Sequence, residues 1–284
     1  MRTIIVPLDG SPLAERAIEP ALAFAARSGA NLVLLTATAD PGHGWARPYL
    51  EGRVSSLMDF DGSDGRMPTV ETEIVTADDP AVAIAGAARE TPDATVMMST
   101  HGRSGVGTAV LGSVADAVVR TAAVPLLLVG PQNRLGTWLH EPAHVLLCVD
   151  GSELSRCAVD PTVEVALDLH ADIIVLRVLE PILALVPAPI PDLATADGAA
   201  APELPALEAV AKDVANRGVP ASYALLRPDN PAAAIVRFAD EDAATACIAL
   251  ATHARTGIAR AVLGSTAQRV VHRARCPVLV YHPT

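Results

Sequence analysis

Two stretches of this 284-residue chain combine residue types able to do chemistry. The first is "STHGRSGVGTAVLGS", residues 99–113, and the second is the acid in "VPLDGS", Asp9. Glycines at 102, 105 and 107 would let backbone approach an anion and turn successive amides inward. Asp9 could accept hydrogen bonds from a ribose hydroxyl or an adenine amine, or it could serve the next helix as a cap, a task that Ser11 also suits. Ser113 and Asp116 have the S-x-x-D spacing of a capping box, which gives Gly112 and Ser113 a purely structural explanation. A bound phosphate would use the same amides and the same helix dipole. His101 has no second ligand at metal spacing and reads as a hydrogen-bonding loop residue, while Arg103 is either a phosphate contact or a solvated side chain. A P-loop is absent, and no serine-hydrolase elbow with a triad can be assembled.

Both stretches occur twice. "IIVPLDGSPLAERAIEPALAFA" is echoed by "VLLCVDGSELSRCAVDPTVEVA", which sets Asp9 against Asp150 at an offset of 141. "THGRSGVGTAVLGSVADAVVRTAAVPLLLV" is echoed by "THARTGIARAVLGSTAQRVVHRARCPVLVY" at an offset of 152, so His253, Arg255, Gly264 and Ser265 repeat His101, Arg103, Gly112 and Ser113. The eleven extra residues belong to the proline-rich stretch 180–205, which reads as a surface excursion.

These candidate residues must be positioned by the elements around them. In the first half, short β-branched or Leu-rich runs at 4–8, 32–37, 70–75, 95–99 and 126–129 predict buried strands. A helix is expected from Ser11 and Pro12, with Ala14, Ala17, Ile18, Ala21, Leu22 and Ala25 on one face, as far as Gly29. Further helices are expected at 80–90 and 114–121, with a short one near 49–60. Strands alternating with helices imply right-handed crossovers, so each half is expected to be a doubly wound α/β unit with a five-stranded parallel sheet. Ligands of such sheets lie beyond the carboxyl ends of the strands, where the strand order reverses. We place the two domains at 1–136 and 143–284, joined by a short linker.

Composition narrows the function. The net charge of −11 and 3% aromatic content argue against a nucleic-acid platform. The four cysteines lack zinc or redox spacing and suit a reducing cytosol; no secretory signal or apolar span long enough for a membrane is read, so a cytoplasmic location is expected.

With these motifs in view, the chain resembles a tandem universal stress protein. "IIVPLDGS" and "STHGRSGVGTAVLGSVADAVVRTAAVPLLLV" carry the resemblance. It implies two adenine nucleotide alpha hydrolase-like domains related by a pseudo-two-fold axis and paired through their last strands, with further homodimerisation left open. It also implies binding of ATP, alone or with Mg2+. ATP-binding members have a glycine, two residues, a glycine, nine residues and then Gly-Ser or Gly-Thr. Here Ser99 holds the first place, Gly102 the second, and Gly112-Ser113 the last. In the second half Ala251 and Ala254 replace both glycines, while Gly264-Ser265 is kept.

Carried over by resemblance, adenosine contacts fall on Pro7, Asp9 and Ala37, and phosphate contacts on Ser99, Gly102, Gly112 and Ser113. Asp150, Val178, Gly264 and Ser265 take the equivalent places in the second half. The expectation is a non-catalytic ATP-binding stress-response protein whose first domain binds the nucleotide and whose second binds weakly or serves as a packing partner. A slow ATPase and a nucleotide-free interaction protein using the 180–205 excursion remain the alternatives.

Overall fold

The structure, a computed structural model, describes residues 2–40, 42, 44–57, 67–102, 111–134, 143–179, 203–228, 230–251 and 263–281. In the first half buried runs form β1 (Thr3–Pro7), β2 (Asn31–Thr38), β4 (Ala94–Ser99) and β5 (Leu126–Val129); β3 (Val70–Thr76), expected to be buried, is instead the edge strand, with no buried residue and with Glu71, Thr72 and Glu73 exposed. Between them lie α1 (Pro12–Glu15), α2 (Ile18–Ser28), α3 (Ala46–Leu57), α4 (Pro80–Glu90) and α5 (Ser113–Thr121). The second half repeats the series as β6 (Ala143–Val149), α6 (Glu153–Arg156), α7 (Val159–Leu169), β7 (Ala171–Val178) and α8 (Leu204–Asn216). It continues with β8 (Ala221–Leu226), α9 (Pro231–Glu241), β9 (Thr245–Ala251), α10 (Ser265–Arg273) and β10 (Val278–Tyr281).

The helix expected from Pro12 to Gly29 is two helices. Pro20 has no amide hydrogen for the Arg16 carbonyl, so an unbroken helix would lack that bond. The chain instead tightens through i−3 bonds, Arg16 N to Leu13 O at 3.3 Å and Ala17 N to Ala14 O at 3.2 Å, and restarts at Ile18. Pro20 then lies in the first turn of α2, where an amide hydrogen is not needed. Pro161 produces the same break between α6 and α7, with Cys157 N to Leu154 O at 3.1 Å and Ala158 N to Ser155 O at 3.3 Å.

All ten strands form one sheet in the order β3-β2-β1-β4-β5-β10-β9-β6-β7-β8. Each half is parallel, and the halves meet where β5 and β10 pair antiparallel. The apolar last strands thus cover each other's edges, as the resemblance implied. Leu127 faces Leu279, while Leu126 faces Val280 and Leu128 faces Val278. Given the 152-residue offset, Leu127 and Leu279 are equivalents paired with each other, so the pseudo-two-fold axis passes between them. Apolar layers cover both faces of the sheet. Across the axis the equivalent helices α2 and α7 pack together, and Arg2 pairs with Glu164 at 3.1 Å and Asp168 at 2.6 Å. Gly130 lies so close to α10 that a Cβ there would overlap the Val271 carbonyl oxygen. Among the described residues no helix is long and apolar enough to cross a membrane.

Candidate functional site

Within each half the strand order reverses beside the first strand, between β1 and β4 and again between β6 and β9. Asp9 follows β1 and Gly102 follows β4, so the topology brings the two sequence candidates to one crevice. They touch: a Cβ on Gly102 would overlap Asp9 Oδ2. Asp9 Oδ1 accepts the Ser11 amide at 2.9 Å, and Gly10 takes the left-handed φ of 83° that this tight turn requires. Capping falls to Ser11, whose Oγ accepts the Ala14 amide at 3.2 Å. The carboxylate therefore braces the turn and borders the crevice instead of capping α1. Buried Pro7 pairs in register with Leu35, which places Ala37 level with Asp9 on the neighbouring strand.

Ser99 ends β4 half-buried, its Oγ accepting the His101 amide at 3.5 Å. Thr100 Oγ1 and His101 Nδ1 stand 3.0 Å apart. His101 Nε2 is buried and without a hydrogen-bond partner, leaving one polar atom beside Gly102 unspent.

The expected capping box does not form. Gly112, with φ −60° and ψ 154°, is the cap residue, and exposed Ser113 is already the first residue of α5. The Gly112 amide donates to the Thr100 carbonyl at 2.8 Å, and a Cβ there would come within 3.0 Å of that oxygen. This close crossing holds the glycine at the cap, one residue earlier than the S-x-x-D spacing implied. Asp116 pairs with Arg120 one turn on instead. Gly264 is likewise the cap residue of α10, and Ser265 is its first helical residue. Neither cap residue has a side chain to occupy the first-turn amides, which stay available to an anion.

In the second half a cavity of about 1030 Å³ opens beyond the ends of β6, β7 and β9. Asp150, Val178, Gly264 and Ser265 all line it, with Leu154, Leu176, Ile235 and Leu250 as its apolar wall. The four sequence-derived residues of this half are therefore brought together. Asp150 Oδ1 accepts from the Ser152 amide at 2.9 Å and its hydroxyl at 2.6 Å, while Ser152 Oγ caps α6 through Ser155 N at 3.0 Å.

The profile of the universal stress protein family matches residues 1–130 and again 143–282. The chain belongs to that family. Among curated proteins it is 30% identical over 132 residues to universal stress proteins of Mycobacterium tuberculosis and Mycobacterium bovis; the match spans 44% of this chain and 44% of each relative. A universal stress protein structure from Archaeoglobus fulgidus superposes with a TM-score of 0.65 at 16% identity, covering 99% of this chain and 98% of that one. A functionally unknown Pseudomonas aeruginosa protein gives 0.60 at 18% identity, with 100% and 93% covered. These likenesses show a fold shared over nearly the whole length of the chain.

Several residues of this universal stress protein were not singled out from sequence. Glu15, Tyr49 and Arg53 form a cluster near Asp9: Tyr49 donates to Glu15 at 3.0 Å and Arg53 pairs with it at 3.1 Å. Burial, then the Glu15 contact, pushes the Tyr49 phenol well above its usual range. Arg177 lines the second cavity, and its one sequence signal was a charge inside the apolar run "IIVLRV". Among the described residues no group of three or more His, Cys, Asp or Glu side chains could hold a metal ion. Arg103, Gly105, Gly107, His253, Ala254 and Arg255, and nearly all of the 180–205 excursion, lie outside the described residues.

Proposed function

We propose that this universal stress protein binds ATP in its first domain, residues 1–136, and acts in the cytoplasm as a non-catalytic reporter of nucleotide state. The contact between Asp9 and Gly102 at the strand-order reversal carries this reading, because it sets a hydrogen-bonding carboxylate against the first glycine of the stretch 102–107. In this reading Pro7, Asp9 and Ala37 hold the adenosine, and Asp9 accepts from a ribose hydroxyl or the adenine amine. Ser99, Gly102, Gly112 and Ser113 face the phosphates, and the unspent His101 Nε2 adds a donor beside them. Mg2+ carried with the ATP would take most of its oxygen ligands from phosphates and water. The second domain, residues 143–284, binds ATP more weakly, since Ala254 puts a methyl group where the first half has Gly102 and Ala251 lacks the hydroxyl of Ser99.

The direct test is release and identification of nucleotide from freshly purified protein, followed by calorimetric titration of the emptied chain. Adenine nucleotide in the released fraction, and rebinding of ATP without turnover above a buffer blank, are expected. No released nucleotide together with no heat at millimolar ATP would overturn the reading in favour of a nucleotide-free interaction protein.

A further inference from the structure

The two halves also differ at a chemistry-bearing position in their second strands. Thr36 in β2 is fully buried and its hydroxyl donates to the Leu8 carbonyl at 3.1 Å, so it offers nothing to a ligand. Its equivalent at the 141-residue offset is Arg177 in β7, a half-buried cation that lines the cavity together with Asp150. The strand register sets Arg177 opposite Val149, one residue before Asp150. The guanidinium lies over the turn that follows: a Cβ on Gly151 would stand 2.9 Å from both of its terminal nitrogens.

A planar guanidinium matches phosphate oxygens two at a time, and it sheds water more readily than an ammonium. In dinucleotide-binding α/β folds an acidic residue reads a free ribose hydroxyl, whereas a nearby arginine accommodates a phosphate esterified there. The first half has the acid with a neutral, inward-turned threonine. The second has the acid with an arginine at the cavity wall.

We propose that the second half selects adenine nucleotides carrying a phosphate on the ribose ring in addition to the 5′-phosphate, with Arg177 as the specificity-determining residue. This rests on the reading that Asp150 stands where a nucleotide ribose lies. Arg177 supplies the positive charge that lets a second anionic group settle beside the Asp150 carboxylate, and Thr36 gives the first half no such preference.

The test is calorimetric titration of the full chain with AMP, adenosine 2′,5′-bisphosphate and adenosine 3′,5′-bisphosphate, before and after Arg177→Thr. At least one bisphosphate should bind the unaltered chain about ten- to hundredfold more tightly than AMP, the gain expected of one charge-assisted contact. Which isomer gains identifies the hydroxyl concerned. Arg177→Thr, the residue of the first half, should erase that gain; Arg177→Lys should keep part of it if the threonine variant does not fold. Equal affinity for AMP and both bisphosphates, or a preference surviving Arg177→Thr, overturns the proposal. ATP titration of Gly102→Val separates the two readings. Loss of ATP binding there without any bisphosphate preference leaves the first-domain reading intact and removes this one. An Arg177-dependent preference without a Gly102-dependent ATP site does the reverse.

Discussion

Gly102 is a glycine because the Asp9 carboxylate occupies the space a side chain would need. Gly102→Val should push that carboxylate aside and weaken ATP binding by about tenfold or more, the value of one hydrogen bond to a charged group. Calorimetry measures the loss, and an unchanged circular-dichroism spectrum separates it from unfolding. Asp9 and Gly102 were legible in sequence because the repeat and the glycine spacing marked them. Their contact was not, since 93 residues separate them and only the crossover of β4 beside β1 brings them together. Arg177 passed unnoticed for a related reason: a lone charge in a strand acquires meaning only when the cavity beside it is seen.

Among the elements, the positions of β1, β2, β4 and β5 could be read to within about a residue, since a strand buried on both faces needs an apolar run and little else; the exposed edge strand β3 was marked by its β-branched residues, and its exposure was not foreseen. Helix ends were less legible. Pro20 and Pro161 divide helices that the apolar periodicity alone would join, and the Gly112 crossing shifts the start of α5. The second-half sheet also has a chemical consequence. Cys148 in β6, Cys247 in β9 and Cys276 just before β10 are buried thiols. Burial, then the charge of Asp240, pushes Cys276 from an ordinary 9.0 to about 12, and burial raises the other two further still. Because the unfolded chain ionises these thiols first, their stabilisation is complete below about pH 9 and is lost as pH rises through the folded values. The unfolding free energy from urea titrations should hold below pH 9 and fall steeply above it, by up to about 1.4 kcal/mol per pH unit for each thiol. Cys148→Ala should flatten that slope by one thiol's share; a slope unchanged by the substitution would assign the alkaline loss to other groups.

For the whole molecule, stability depends on the pair of strands at the pseudo-two-fold axis. Leu127 and Leu279 are almost fully buried and face each other there. Leu127→Ala should cost about 2–5 kcal/mol in urea unfolding, the range for a large-to-small change in a packed core. Adding Leu279→Ala should cost less than the two single effects combined, because the second truncation opens onto the cavity left by the first. Strict additivity would mean that the two leucines do not share one packing site.

The sequence by itself determined the duplication, the five-stranded α/β unit, the apolar last strands and the residues of the two candidate sites. These follow from local pattern: hydrophobic period, proline and glycine placement, and self-similarity. Tertiary structure alone decided that the ten strands make one sheet with its axis between Leu127 and Leu279. It also decided that Asp9 touches Gly102 and that Arg177 joins Asp150 at a cavity wall. Such contacts link residues far apart in the chain, and they exist only once the strand order has folded the sequence back on itself.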